Sequence, residues 1–270
     1  MTTYDSEDFV REILESRKYR NISEVTVRDV ITYELARHGG SLKEIRRLVR
    51  KRLHRIWAAY LGRPDPGAEI YSLQKAFAAG HEGEVEEICR RLLSSHQSSR
   101  ERIPILSDFY RLIFSCTGAP ERIHDLACAY NPFSFRWMGL PRSVRYHAYD
   151  INLGTVRLIN SYMDLENLEP LAEHRDILCR PPEERADVAF LFKMYHCLEH
   201  RRNGAGWEVV ERAPADWIAV TFPTRNLASR TVDIYGNYGK EIQDRVDERA
   251  WLMKRLDFST EIVLLIRKRS

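Results

Sequence analysis

A chain of 270 residues that is 44% hydrophobic and 10% aromatic carries enough apolar material for one large globular domain or two modest ones, which excludes a disordered or fibrous protein. No apolar run reaches the roughly 18 residues of a membrane span, and the opening MTTYDSEDFV has neither a basic nor an apolar stretch, so a cytoplasmic protein without a signal peptide is expected. The net charge of +3 excludes nothing by itself, while five widely spaced cysteines (Cys89, Cys116, Cys128, Cys179, Cys197) without a CxxC pair argue against a disulfide framework or a zinc site and for reduced thiols.

The first hundred or so residues read as helical. SLKEIRRLVRKRLHRIWAAYL opens with Ser41 as N-cap and Glu44 three residues on, a capping box, and repeats apolar residues at 42, 45, 49, 53, 56 and 60. One stripe then faces a core. Lys43, Arg46, Arg47, Arg50 and Lys51 fall mostly off it and form a basic ridge, within a stretch from Arg37 to Arg63 where nine Lys and Arg residues meet one acid, Glu44. A solvated helix face and a nucleic-acid-binding face both fit this pattern. GRPDPG (62–67) breaks the chain, and two more helices are predicted, over Glu69 to Ala79 and Gly83 to Ser95. After Pro104 short apolar runs alternate with helical stretches: RIHDLA (122–127), VRYHAYDI (144–151), ADVAFLF (186–192), DWIAVTF (216–222) and EIVLLIRK (261–268). That alternation predicts a mostly parallel α/β sheet.

In such a sheet, ligands bind beyond the carboxyl ends of the strands, near the point where the strand order reverses. HDLACAYNP follows the first predicted strand there, offering small residues at Ala127 and Ala129 and then Asn131. The second strand ends in Asp150, an acid suited to ribose hydroxyls, and RDILCRPP supplies Asp176 for an exocyclic amine beside Ile177 for an adenine face. Any one of these acids is as well explained as a cap or turn residue. Together they indicate a nucleoside-type cofactor. The turn lacks G-x-G-x-x-G, whose amides cradle a pyrophosphate, so phosphate-free S-adenosylmethionine fits better than a dinucleotide.

Over nearly its whole length the chain resembles the aminoglycoside-resistance 16S rRNA (guanine-N7) methyltransferases. The resemblance rests on SRKYRNISEVTVRDV, RLHRIWAAYLG, SSHQSSRERIPILSDFYRLIF, DLACAYNPFSF, DILCRPP, LFKMYHCLE and TFPTRNLASR, in that order. The chain departs from the family where Ala127 and Ala129 stand in slots that usually hold a glycine, where DIYGNY keeps only Asn237 and Tyr238 of a longer motif, and where STEI keeps Glu261.

The resemblance implies an N-terminal helical RNA-docking domain over residues 1–105 and a Rossmann-like, S-adenosylmethionine-dependent methyltransferase domain over 106–270, acting as a monomer on 16S rRNA in the 30S subunit. It implies that Arg102, together with Arg100, lies at the cofactor edge, that Ile151 and Phe192 join the cofactor set, and that Lys193 is the functional lysine, able to reach the guanine O6. A snorkelling lysine at a strand end is the plain alternative. Arg225 is expected near the target base, and Arg230 with the ridge on RNA. Guanine N7 already bears an in-plane lone pair, so methylation needs orientation and no general base. Two other classes remain open from sequence: a decayed methyltransferase fold that binds RNA, and an enzyme acting on a small metabolite.

Overall fold

The computed structural model describes residues 3–38, 41–58, 64–224 and 234–268. Helices α1 (Thr3–Glu15), α2 (Glu24–Arg37), α3 (Leu42–Trp57), α4 (Pro66–Ala78), α5 (Glu82–Ser95), α6 (Gln97–Arg100) and α7 (Leu106–Thr117) precede the first strand. The caps explain where they start. Ser41 Oγ accepts the Glu44 N–H at 3.3 Å, and Asp65 accepts the Ala68 N–H at 2.9 Å with Pro66 in the first turn, which sets α4 three residues earlier than its apolar pattern alone suggests. On α3 the buried stripe is Ile45, Val49, Leu53 and Trp57. Leu42, expected on that stripe, sits in the first turn and is exposed instead. Position 60 lies outside the described residues.

The sheet has seven strands in the order β3-β2-β1-β4-β5-β7-β6, comprising β1 (Arg122–Leu126), β2 (Arg145–Asp150), β3 (Ala172–His174), β4 (Ala186–Phe192), β5 (Ala215–Pro223), β6 (Leu252–Asp257) and β7 (Glu261–Arg267). The first five are parallel, and β7 runs antiparallel between β5 and β6. This is a Rossmann-like sheet. Two strands were not expected: β3 is three residues long, and β6 is an exposed edge whose residues show no apolar run. From Val188 to Phe192, β4 reads as an unbroken apolar run because both of its faces are covered there.

Helices α8 (Leu153–Leu165), α9 (Tyr195–Arg201), α10 (Ala205–Arg212) and α11 (Ile234–Glu248) complete the layers. Val188, Phe190 and Phe192 of β4 point to a core shared with α4, α5, α7 and α8, while Ala189 and Leu191 point to one shared with α9, α10 and α11. Helices α1 to α3 enclose a third core of their own, built on Phe9, Val27, Val49 and Leu53. All five cysteines are free thiols.

Between β1 and β2 the layer on one face holds an unusual buried group. His124 is fully buried with neither ring nitrogen hydrogen-bonded, packed edge-on against His147 and Tyr149. Burial, then the neighbouring His147, pushes its pKa from 6.5 down to about 4. The folded state therefore favours the uncharged ring, and the unfolded chain binds the extra proton between those two values, so stability is lost as pH falls through this window. Replacing His124 by Phe is expected to spare about 2–3 kcal/mol of the acid-induced loss, measured as the difference in urea-unfolding free energy between neutral and mildly acid buffer.

Candidate active site

The carboxyl ends of β1, β2 and β4 meet where the strand order reverses, and most of the sequence-nominated residues lie there. Leaving β1, the chain takes left-handed conformations at Ala127 (φ 59°) and Ala129 (φ 46°), on either side of the buried Cys128. A side chain with a Cβ pays about 1–2 kcal/mol for this conformation, which glycine avoids. The loop is held in place by its neighbour strand. Cys128 N–H donates to the Tyr149 carbonyl at 2.9 Å, and Ala129 N–H donates to Asp150 Oδ2 at 3.0 Å. Asp150 Oδ1 accepts the Asn152 N–H at 2.7 Å, so this buried carboxylate fixes two backbone segments at once.

Beneath the loop lies a buried polar network centred on Asn131. Its Oδ1 accepts from Arg102 Nη1 and from the Tyr110 hydroxyl, both at 2.8 Å, and its Nδ2 donates to Asp125 Oδ2 at 2.8 Å. The Tyr146 hydroxyl also donates to Asp125 Oδ2, at 2.6 Å. Burial pushes the Asp125 carboxyl up to about 6, against the opposing hydrogen bonds from Tyr146 and Asn131. Arg102 is spent inside the protein: Nε and Nη2 bind Glu261 at 2.5 and 3.0 Å, and its guanidinium lies against the edge-to-face pair Phe109 and Phe192, 4.6 and 4.3 Å from their ring centres. It therefore bears on the loop through Asn131, and Phe192 stacks on it.

Lys193 ends β4 in a left-handed conformation of its own (φ 53°), with its N–H on Thr221 Oγ1 at 3.0 Å. Its Nζ donates to Glu101 Oε2 at 2.6 Å and lies 3.9 Å from Glu261. Glu101 is half-buried; burial alone would raise its carboxyl, but Lys193 and Gln97 outweigh that and hold it below the usual range. The lysine is thus pinned in place, unlike a side chain that snorkels to solvent. One continuous chain of contacts runs from Asp150 through Ala129 to the loop, and from Asn131 through Arg102 and Glu261 to Lys193.

Asp176 belongs to a separate group. The β2–β3 register pairs Asp150 with His174, which brings Asp176 to the same edge of the sheet, but its oxygens contact Thr26 of α2 and Arg201 of α9. Ile177 is buried in the core under α9 and α10, and Ile151 packs against the core of α1 to α3. On α3, Arg46 and the exposed Arg50 both pair with Glu12 of α1 and lie over the Phe9 ring, so they are less free than a ridge of cations implies, whereas Lys43 and Lys51 are exposed and Arg47 is exposed with a long 3.9 Å contact to Glu44. Arg225 and Arg230 lie outside the described residues. Sequence reasoning did not single out Glu101, Tyr110, Tyr146, Thr26 or Arg201. Glu101 sits inside the quoted SSHQSSRERIP stretch and was there to be found, while the two tyrosines are indistinguishable from ordinary core aromatics.

The family model described as ribosomal RNA methyltransferase (FmrO) matches residues 15–266. The chain belongs to this family. A 16S rRNA (guanine(1405)-N(7))-methyltransferase of Micromonospora echinospora is 32% identical over 99% of this chain and 100% of its own length, and one of Serratia marcescens is 31% identical over 97% and 98%. Among solved structures, the 16S rRNA methylase RmtB superposes with a TM-score of 0.78 at 28% identity, covering 98% of both chains. The 16S rRNA methyltransferase RmtF in complex with S-adenosyl-L-homocysteine superposes with a TM-score of 0.80 at 26% identity, covering 100% of both.

For this ribosomal RNA methyltransferase the residues present suit S-adenosylmethionine. The half-buried loop at 127–129 lies at the carboxyl end of β1 and carries no glycine-rich phosphate cradle, and the acids Asp150 and Asp176 follow successive strands. The alanines bear a strain that glycine would relieve, but the Asp150 contact and the Asn131 network keep the turn in place. Ala129→Gly is expected to tighten S-adenosylmethionine by no more than about tenfold in titration calorimetry, and wild-type binding is expected to be measurable. A wild type that fails to bind at millimolar cofactor while the glycine variant binds would mean that the alanine loop is disabled.

Proposed function

We propose that this enzyme methylates N7 of guanine 1405 of 16S rRNA in the decoding site of the 30S subunit, as a monomer in the cytoplasm, and so confers aminoglycoside resistance. The observation that carries this reading is the end-to-end match to enzymes bearing that activity in their names. S-adenosylmethionine supplies an electrophilic methyl group on its sulfonium. Asp150 takes the ribose hydroxyls, Asp176 the exocyclic amine of the adenine beside Ile177 and Ile151, and the strained loop with Ala127 and Ala129 faces the methionine part. Asn131, held by Arg102, keeps that loop in shape, and Phe192 closes the wall behind it.

Lys193 is the residue we assign to the guanine O6, with Arg225 assigned to the target base on the sequence resemblance. Because N7 carries its own lone pair, the chain has no proton to remove. Its contribution is orientation within a site that limits water, a term worth several kcal/mol. The pinning of Lys193 by Glu101 supports this role, since an ordered ammonium loses little freedom on meeting the base. Lys193→Ala is expected to lower turnover roughly tenfold or more while leaving cofactor affinity nearly unchanged. Loss of cofactor binding in that variant, as large as in Asp150→Ala, would remove the lysine from the target-base role.

In A-form RNA the groove that carries N7 is deep and narrow, so the target base must be flipped out or met in a distorted helix, and a docking surface has to hold the subunit while this happens. We assign that surface to the helical region over residues 1–105, with Lys43, Arg47 and Lys51 as its leading cations and Arg46, Arg50 and Arg230 as contributors. Lys18 extends it, its Nζ standing 2.8 Å from His54 Nδ1 on α3. Reversing Lys43, Arg47 and Lys51 to Glu is expected to weaken 30S binding and flatten its salt dependence by about one counterion per lost phosphate contact, with cofactor affinity unaffected. Reversing Arg46 and Arg50 sets new acids against Glu12 and should lower the unfolding temperature as well. The activity itself is tested by expression in a sensitive bacterium. Combined resistance to gentamicin-type and kanamycin-type drugs, with cleavage of the extracted 16S rRNA at a single N7-methylguanine, is the expected result.

A further inference from the structure

The helical region reaches into the wall of the site. Residues 21–23, between α1 and α2, run antiparallel to residues 151–153: Ser23 N–H donates to the Ile151 carbonyl and Leu153 N–H to the Asn21 carbonyl, both at 2.9 Å, in a bridge that starts one residue after Asp150. At the other acid the contact is through side chains. The buried Thr26 of α2 donates its hydroxyl to Asp176 Oδ2 at 2.6 Å, and Arg201 Nη1 lies 2.7 Å from the same oxygen. Arg201 is tied back to α2 through Asp29, at 2.6 Å from Nη2 and 3.1 Å from Nε, and its carbonyl accepts from Arg52 of α3 at 2.7 Å.

These contacts orient the Asp176 carboxylate. Its Oδ1 accepts the Leu178 N–H at 3.1 Å, so among the described residues three of the roughly four lone-pair directions of the group are filled and one on Oδ1 remains. A terminal carboxylate torsion is soft and would otherwise swing that direction over a wide arc. Two donors gripping Oδ2 from separate helices stop the rotation. We propose that Thr26 and Arg201 are positioning residues which aim the remaining Oδ1 lone pair of Asp176 at the exocyclic amine of the cofactor's adenine, making the docking helices part of the adenine-selective wall. The proposal rests on the assignment of Asp176 to that amine.

The test is titration calorimetry on the full chain with two ligands, S-adenosylhomocysteine and its 6-oxo counterpart, in which a carbonyl acceptor replaces the amine donor. Thr26→Val keeps the shape of the side chain and removes only the hydroxyl. It is expected to weaken S-adenosylhomocysteine about three- to tenfold while leaving the 6-oxo ligand within about twofold, so the preference for the amine narrows. Asp29→Asn, which loosens Arg201, should shift the preference the same way by less. Undiminished preference in both variants overturns the positioning role, and so does equal loss of both ligands. Asp176→Asn separates the two ideas. If it abolishes the preference while Thr26→Val retains it, only the positioning role fails; if it too retains the preference, the adenine assignment of Asp176 fails and the proposal falls with it.

Discussion

Arg102 and Glu261 stand 159 residues apart and close on each other through a two-pronged contact with both side chains buried. Removing two charges from water costs several kcal/mol per ion, and attraction repays it only where the remaining donors are also satisfied. Here each of the three guanidinium nitrogens has a partner: Nε and Nη2 are on Glu261 and Nη1 is on Asn131, two aromatic rings lie against the group, and Lys193 Nζ stands 3.9 Å from Glu261 Oε2. The pair thus joins the segment entering α7, the last strand and the loop after β1. An arginine suits the place better than a lysine, because only a planar fork can hold the carboxylate with two nitrogens and still reach the amide with a third.

On that anchor rests a loop that would not hold its shape alone. Left-handed conformations at Ala127, Ala129 and Lys193 all occur at the carboxyl edge of β1 and β4, the edge the fold reserves for ligands. Strain of this kind persists where surrounding contacts over-determine it, and it concentrates at sites of function. The contacts are identifiable: Asp150 and Tyr149 on one side of the β1 loop, Asn131 below it, and Thr221 receiving the Lys193 amide. Alanine at these left-handed positions costs the turn about 1–2 kcal/mol each, and these contacts hold it in that conformation.

The N-terminal helices are not an appendage. Although α1 to α3 have a core of their own, Ile151 contributes to that core from just beyond Asp150, and α2 grips Asp176 directly. Glu12 neutralises part of the basic ridge on α3 by holding Arg46 and Arg50, so the unpaired cations on it are fewer than the composition of the helix suggests.

Much of this was legible in the residues themselves. The mostly apolar runs announced β1, β2, β4, β5 and β7 to within a residue or so, since strands covered on both faces bury mainly apolar side chains, and the cap at Ser41 marked one helix start by local hydrogen bonding, whereas the cap at Asp65 went unread. The ordered motifs identified the family, and the placement of acids after strands nominated Asp150 and Asp176. Tertiary structure decided what has no local signal. A three-residue β3 and an exposed β6 carry too little pattern to be recognised and exist because a neighbouring strand offers them a ladder. Whether Ala129 carries strain, whether Arg102 faces a ligand or Glu261, and whether Arg46 is free or paired with Glu12 all depend on groups distant in sequence. Composition and periodicity report how one segment meets water. Pairing between segments is an outcome of packing, and only the folded chain contains it.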